Sequence, residues 1–113
     1  MVWGRDEAKL SDIATKYSAT SVNLEQALTA DLVISTLPIG ILPQLLEGRT
    51  GKTLLDIAYM NPANSSFEVK ISGIEMLIWQ AVAQIRLFYA ADMAVELPNE
   101  VAVIEAMREA AQN

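Results

Sequence analysis

The 113-residue sequence contains no cysteine and no histidine. The absence of cysteine excludes a disulfide framework and thiolate chemistry. The absence of histidine removes the commonest general base and the commonest metal ligand, which argues against a zinc site. The remaining carboxylates, lysines and tyrosines form no compact pair in the sequence. We therefore predict neither a catalytic residue nor a bound metal within this chain.

Glycine and basic residues are also scarce. The five glycines are Gly4, Gly40, Gly48, Gly51 and Gly73. Their spacing excludes the G-x-G-x-x-G loop with which many dinucleotide-binding folds hold a pyrophosphate. The 14 acidic residues outnumber the 8 lysines and arginines, which leaves a net charge of -6. This balance argues against nucleic acid or an acidic membrane surface as a partner.

Long uninterrupted apolar runs are missing as well. Residues 1–5 lead into a polar helical pattern, and the most apolar later stretch carries Gln80, Gln84 and Arg86. We therefore expect a cytoplasmic protein without a membrane span. With 52% hydrophobic and 19% charged residues, the chain is long enough for one core and too short for two ordinary domains.

The apolar pattern alternates short runs with helical periodicity, which predicts an α/β fold with a mainly parallel sheet. Strands are predicted at residues 1–4, 21–23, 32–37 and 53–59, with Asn61 and Pro62 ending the last of them. Helices are predicted after Asp6, after Asn23, over residues 73–90 and after Pro98. Asn23 and Gln26 resemble a capping box that opens the second helix.

Three motifs follow one another along the chain. They are DLVISTLPIG at residues 31–40, LLDIAYMNP at 54–62 and SGIEMLIWQAVAQIRLF at 72–88. They resemble, in the same order, the D-L-x-I-N-A-T-P-x-G, D-x-x-Y-x-P and N/S-G-L-x-M-L-x-x-Q-A segments of shikimate dehydrogenases. At the start, VWGRDEAK stands where that family has a strand followed by N-R-T and a further basic residue. The resemblance extends over nearly the whole chain, from Val2 to Met107.

The resemblance implies the carboxyl-terminal, NADP-binding part of an oxidoreductase that interconverts 3-dehydroshikimate and shikimate on the way to aromatic amino acids. It implies a partial Rossmann-like, three-layer fold that lacks the first strand and the glycine-rich loop. The family's catalytic lysine and aspartate lie in an amino-terminal domain that residues 1–113 do not contain. We therefore expect no activity from this chain alone. Between Pro62 and Gly73 the chain is shorter than the family pattern, so a helix is expected to be lost there.

The resemblance also implies a set of site residues. Arg5 and Lys9 match basic positions that clamp the adenosine 2′-phosphate of NADP. The positions near the nicotinamide and its ribose are Ser35, Thr36, Leu37, Pro38, Gly73 and Met76. Tyr59 and Gln80 match the contacts to shikimate, where a phenol and a carboxamide can hydrogen-bond a small polar acid. Gln80 is expected to be buried on an apolar helix, where its amide needs partners.

Each of these residues also has a plainer interpretation. Arg5 and Lys9 are equally typical of solvated charges at a helix start, and Asp6 between them places a negative charge beside the expected phosphate. Pro38 is a common turn residue after a buried strand, and Met76 has the size and polarity of a core residue.

Two functions of different class therefore stay open at this point. One is the cofactor-binding half of a shikimate dehydrogenase, and the other is a noncatalytic α/β oligomerisation or binding module derived from that family. In the strand order 3-2-1-4-5-6 the first strand lies between the strands predicted at residues 1–4 and 32–37. Without it, either these two strands pair or a second copy covers the gap. We therefore expect a homo-oligomer.

Overall fold

A three-stranded parallel sheet lies at the centre of the computed structural model, which describes residues 1–58 and 66–112. The strands are β1 (Leu32–Ser35), β2 (Thr50–Asp56) and β3 (Ser66–Ser72), in the order β1-β2-β3. The helices are α1 (Glu7–Lys16), α2 (Leu24–Ala27), α3 (Leu42–Leu45), α4 (Gly73–Ala90) and α5 (Glu100–Gln112). The predicted α/β class with a parallel sheet is confirmed, and the arrangement is that of a partial Rossmann-like fold. Among the described helices, none combines the length and apolar character needed to cross a membrane.

The main core gathers around the middle strand. Leu54 of β2 is completely buried, because β2 has a hydrogen-bonded neighbour on each side. It forms a cluster of buried side chains with Leu28, Leu42, Leu46 and Phe67. This cluster joins the sheet to the turn after α2 and to α3, so it fixes where the strands end.

A second cluster holds α5 against α4. Ile78 and Val82 lie one turn apart on α4 and pack with Ile104 of α5. Two ion pairs support this contact. Arg108 donates from Nε and Nη2 to the two carboxylate oxygens of Glu75, at 2.8 Å each, and Arg86 binds Glu100 in the same two-pronged manner. Paired guanidinium and carboxylate groups of this geometry are the more strongly directional kind of ion pair.

The helices follow the sequence prediction closely. Asn23 and Gln26 form the expected capping box, with Gln26 N donating to Asn23 Oδ1 at 2.9 Å and Asn23 N donating to Gln26 Oε1 at 3.2 Å. The predicted helix over residues 73–90 is confirmed at both ends as α4. It ends at Ala91, which adopts the left-handed conformation with φ 56°.

The strands differ more from the prediction. Residues 1–4 and 21–23 form only one parallel bridge, between Val2 and Ser21, so the expected strands are wrong there. The sheet is not closed by residues 1–4, since among the described residues β1 pairs with β2 alone. β1 ends at Ser35, two residues early, and β2 begins at Thr50, three residues early. β2 also ends three residues early, at Asp56, and Tyr59, the last residue of the predicted strand, lies outside the described residues.

Two described elements have no counterpart in the prediction. α3 is a single turn that begins beside Pro43. β3 occupies most of the stretch between Pro62 and Gly73, and it pairs along its length with β2. The shortening in this stretch therefore leaves a strand that leads directly into α4.

Candidate functional site

The carboxyl ends of the three strands lie side by side. Ser35, Asp56 and Ser72 are register partners across the sheet, with Ser35 opposite Asp56 and Asp56 opposite Ser72. Neighbouring strands in such a sheet are about 4.8 Å apart, so the three polar residues form one row. Ser35 and Asp56 are buried, with 6% of each residue exposed. In open α/β sheets, ligands bind just outside this end of the strands, which makes this row the centre of the candidate site.

After β1 and after β2 the chain makes a turn that is held by the side chain of the last strand residue. Asp56 Oδ1 accepts a hydrogen bond from Ala58 N at 3.2 Å, and Ser35 Oγ accepts one from Leu37 N at 3.4 Å. Ile57 N also donates to Ser35 O at 3.1 Å, which ties the end of β2 to the end of β1. Side chains of serine and aspartate commonly hold turns in this way. The strand ends are thus rigidly placed beside each other.

The amino end of α4 lies against the end of β2. Gly73, its first residue, is buried, and a Cβ atom built on it would lie only 2.5 Å from the carbonyl oxygen of Ile57. Glycine is therefore the one residue that allows this approach. Ser72 Oγ caps the helix by accepting from Glu75 N at 3.4 Å. The partial positive charge of an 18-residue helix consequently faces the row of strand ends.

A shallow groove of about 710 Å³ runs along the first turns of α4. Its lining residues are Leu55, Lys70, Ile71, Ser72, Glu75, Met76 and Trp79. Met76 is half-buried in this wall, beside apolar side chains of β2 and β3. Gln80 lies one helical turn further on, and it is exposed. The expectation of a buried Gln80 is wrong, because α5 packs on the side of α4 that carries Ile78 and Val82.

Glu75 at the rim of this groove is held in its ionised form. Hydrogen bonds from the Arg108 guanidinium lower the pKa of its carboxyl below the usual value, although partial burial opposes this change. The carboxylate is therefore already engaged in the contact between α4 and α5. It is poorly suited to act as a general acid near neutral pH.

Arg5 and Lys9 are both exposed at the start of α1. Asp6 between them is the N-cap of this helix, with Oδ1 accepting from Lys9 N at 3.1 Å. Its other oxygen lies 3.6 Å from the ammonium nitrogen of Lys9, whose side chain is 81% exposed. Solvent screens a pair this open, so both cations of the segment are accessible to an anion.

The remaining predicted residues lie on the loop after β1. Leu37 is half-buried, whereas Thr36 and Pro38 are exposed beside the row of strand ends. Tyr59 lies outside the described residues. Ser35, Gly73 and Met76 are brought together with these loop residues at one end of the sheet, while Arg5 and Lys9 lie on a separate element.

Two members of the row, Asp56 and Ser72, were not among the predicted site residues. Both stand at a strand end, and both occur in the motifs that carry the family resemblance. The signal that would have found them is the register of three adjacent parallel strands. That register is not accessible from the sequence prediction, which places no strand between Pro62 and Gly73.

Comparisons with known proteins show which solved structures this fold resembles. No protein-family model matches the chain, and no curated protein matches it significantly. Two solved structures of shikimate 5-dehydrogenase from Thermus thermophilus do match. The structure in complex with shikimate has a TM-score of 0.66 and 23% sequence identity, and the match covers 99% of this chain and 45% of that one. The structure in complex with NADP(H) and shikimate has a TM-score of 0.59 and 25% identity, covering 96% and 45%.

The match in fold is therefore almost complete for this chain, yet the chain spans less than half of the length of the enzyme that it matches. It includes the row of strand ends and the start of α4, where the three motifs of the sequence meet. The resemblance expected from those motifs is confirmed at the level of the fold, which is similar to that of part of shikimate 5-dehydrogenase.

Proposed function

We propose that the chain is the NADP-binding part of an oxidoreductase that interconverts 3-dehydroshikimate and shikimate. The observation that carries the proposal is the row formed by Ser35, Asp56 and Ser72 beside the start of α4, because it joins three separate motifs at one site. The matched Thermus thermophilus enzyme has been solved in complex with NADP(H) and shikimate, which supports both ligands. A cytoplasmic location, expected from the composition, belongs to this proposal and stays a prediction.

The nicotinamide end of the cofactor is assigned to the carboxyl ends of the strands. Gly73 is assigned to the nicotinamide on the motif alone, because the Ile57 backbone occupies the space of its missing side chain. The soft thioether of Met76 can pack on the face of the ring. The loop of residues 35–38 offers hydroxyl and backbone groups to the adjoining ribose. When bound, NADPH supplies the hydride, while these residues bind and orient.

The substrate is assigned to the neighbouring part of α4. The carboxamide of Gln80 is exposed one turn beyond Met76, so it is free to donate and accept hydrogen bonds with a hydroxylated acid. Tyr59 is assigned to the same substrate on the motif alone. The exposure of Gln80 in this chain fits a site that is completed by another domain.

The adenosine 2′-phosphate is assigned to Arg5 and Lys9. A guanidinium can bind two phosphate oxygens at once, and an ammonium nearby adds a point charge. With no glycine-rich loop in the sequence, the pyrophosphate loses its usual backbone donors. We therefore expect weak nucleotide binding with a preference for NADP over NAD, because NADP alone carries the 2′-phosphate.

The isolated chain is expected to show no shikimate oxidation, because residues 1–113 do not contain the lysine and aspartate to which the family resemblance assigns the proton transfer. Glu75 is engaged by Arg108, and Asp56 is buried in its turn. A steady-state assay with shikimate and NADP measures this directly. Turnover that survives purification and is abolished by Gln80→Ala would show that this chain carries its own proton-transfer group.

Substituting Arg5 with alanine is expected to weaken NADP binding by roughly 10- to 100-fold, as for other hydrogen bonds to a charged group. Binding of NAD should change little, because NAD has no 2′-phosphate. Calorimetric titration with both nucleotides gives the two dissociation constants. Lys16→Ala, at the opposite end of α1, is the matched control and should leave both unchanged. Equal affinity of the unaltered chain for NADP and NAD would remove this assignment.

The second candidate function, an oligomerising module, is favoured by a stripe of exposed apolar residues on α4. Leu77 and Phe88 lie on one side of the helix and are 47% and 90% exposed, with the partly buried Ala81 between them at helical spacing. Exposed apolar patches of this kind mark interaction surfaces. This use of the chain is compatible with the first proposal, since oligomerisation and cofactor binding involve different residues.

A dimer or larger assembly is therefore expected at micromolar concentration, measured by light scattering behind a sizing column. Phe88→Glu should shift the chain toward the monomer, because a carboxylate is costly to bury in an apolar contact. Tyr17→Glu alters an equally large exposed residue at the end of α1 and should not. A chain that is monomeric before any substitution would exclude the module.

A further inference from the structure

The carboxylate of Asp6 holds the amino end of α1. Asp6 is the N-cap residue, and its Oδ1 accepts a hydrogen bond from Lys9 N at 3.1 Å. Its Oδ2 lies 3.6 Å from the ammonium nitrogen of Lys9. An anion that binds at a helix start uses backbone N–H groups and cations of this kind. Asp6 therefore engages the same donors of Lys9 that the 2′-phosphate of NADP would use.

Arg5 is the remaining cation of this segment. It is exposed, and within the described part of the chain its guanidinium forms no hydrogen bond or ion pair. Asp6 follows it directly in the sequence, so the carboxylate stays close to any anion that binds the guanidinium. Both cations are thus accessible, but a negative charge lies between them in the sequence.

The repulsion from this carboxylate is large enough to affect binding despite its exposure. The side chains of Asp6 and Lys9 are 53% and 81% exposed, so water screens their charges. Even in water, two like unit charges about 4 Å apart change an equilibrium constant by roughly fivefold. A phosphate monoester carries about −1.5 to −2 charges near pH 7. We therefore expect Asp6 to weaken the binding of a 2′-phosphate by about tenfold.

NAD carries a hydroxyl where NADP carries this phosphate. A hydroxyl can donate a hydrogen bond to a carboxylate, and it has no charge for the carboxylate to repel. In doubly wound folds, an acidic residue commonly binds this ribose hydroxyl of NAD. A carboxylate at this place therefore disfavours NADP relative to NAD.

We infer that Asp6 is a specificity-determining residue, which narrows the preference for NADP over NAD that Arg5 and Lys9 produce. The inference rests on the proposed role of this segment in NADP binding. It concerns a position at which the sequence departs from the family pattern N-R-T, because Asp6 stands in place of the threonine. Threonine caps a helix without a charge, whereas Asp6 caps α1 with one.

Asp6→Asn in the full chain tests the inference, because asparagine caps a helix as well as aspartate and carries no charge. Calorimetric titration is expected to show an affinity for NADP about tenfold higher than that of the unaltered chain. The affinity for NAD should stay the same or fall. Asp6→Ser also keeps a capping side chain without a charge, so it should give the same result. Circular dichroism checks that helix content is unchanged in both variants.

The matched control is Asp12→Asn, which removes the same charge from another exposed position of α1. Asp12 lies about 9 Å further along the helix axis, close to the distance over which physiological salt screens a charge. It should change the affinities for NADP and NAD by less than about twofold and by equal factors. Adenosine 2′-monophosphate and adenosine 5′-monophosphate provide a second comparison, with the amide chemical shifts of Arg5 and Lys9 as the measurement. Asp6→Asn should strengthen the binding of the 2′-monophosphate more than that of the 5′-monophosphate.

A selective gain for NADP in both Asp6 variants, absent from Asp12→Asn, supports the inference. If the unaltered chain binds NADP and Asp6→Asn leaves that affinity unchanged, the inference is wrong while the proposed function stands. Equal gains for NADP and NAD also overturn it, because a loss of general repulsion would then explain the result. If no variant binds either nucleotide at millimolar concentration, the proposed function fails and the inference fails with it.

Discussion

Replacing Leu54 with alanine is expected to lower the free energy of unfolding by about 2–5 kcal/mol, the usual cost of removing a fully buried leucine side chain. Leu54 is completely buried in the central strand and contacts side chains from the neighbouring elements. A domain of this length has a stability of only about 5–15 kcal/mol. Urea unfolding followed by circular dichroism measures the change, with all variants at one protein concentration.

The matched control is Leu87→Ala. Leu87 is 44% exposed on α4 and lies outside the stripe that contains Leu77 and Phe88, so the same substitution should change the free energy of unfolding by no more than about 0.5 kcal/mol. Comparable losses for the two variants would mean that the sheet core does not dominate the stability of the chain.

Replacing Gly73 with alanine is expected to destabilise the chain by about 1–3 kcal/mol, as for other substitutions that force atoms into occupied space. This expected loss of stability is opposite to the general trend, since alanine normally stabilises a helix relative to glycine by about 0.5–1 kcal/mol. The added Cβ would lie 2.5 Å from the carbonyl oxygen and 2.8 Å from the carbonyl carbon of Ile57. Those are backbone atoms at the end of β2, so α4 itself would have to move.

Two further glycines give a graded comparison for this variant. At Gly4 an added Cβ meets only a Leu10 side-chain carbon at 3.8 Å, which is an ordinary contact, so Gly4→Ala should be almost neutral. At Gly51 it meets the ring of Phe67 at 2.3 Å, and a ring can rotate more readily than a backbone can shift. Gly51→Ala should therefore fall between the other two. A stabilising effect of Gly73→Ala would show that α4 does not start against β2.

The helices could be predicted from the sequence because their signals are local. α4 has apolar residues at helical spacing, a serine cap at Ser72 and no interrupting proline, and its predicted bounds agree with the structure. The capping box of Asn23 and Gln26 is recognisable within four residues. Such patterns do not depend on which other element they pack against.

The strands were harder to predict because pairing decides where they begin and end. Thr50 and Gly51 end a segment of turn composition that starts at Gly48, yet they belong to β2. Gly51 pairs with Phe67, whose ring occupies the space that a side chain would fill. Phe67, Val69 and Ile71 alternate with polar residues in β3, but no strand was predicted between Pro62 and Gly73, where only the loss of a helix was expected.

The sequence could predict the single residues of the site that stand within a recognisable motif. Gly73 and the loop after β1 lie at the same end of the sheet, and Met76 lies one turn into α4; their roles in binding stay predictions. The row of Ser35, Asp56 and Ser72 was not predictable, because it depends on the register of all three strands. The exposure of Gln80 depends on where α5 packs, which the pattern of α4 alone does not determine.

The two hydrophobic clusters share no buried residue: one gathers around Leu54, and the other joins Ile78 and Val82 to Ile104. Energetic effects of substitutions at sites without shared partners are generally additive. The two halves of the chain are thus free to diverge in sequence separately, since a change that repacks α4 against α5 requires no compensating change in the sheet. Random drift would then erode overall sequence identity faster than it alters the start of α4 and the neighbouring ends of β2 and β3, where both halves must keep the same geometry.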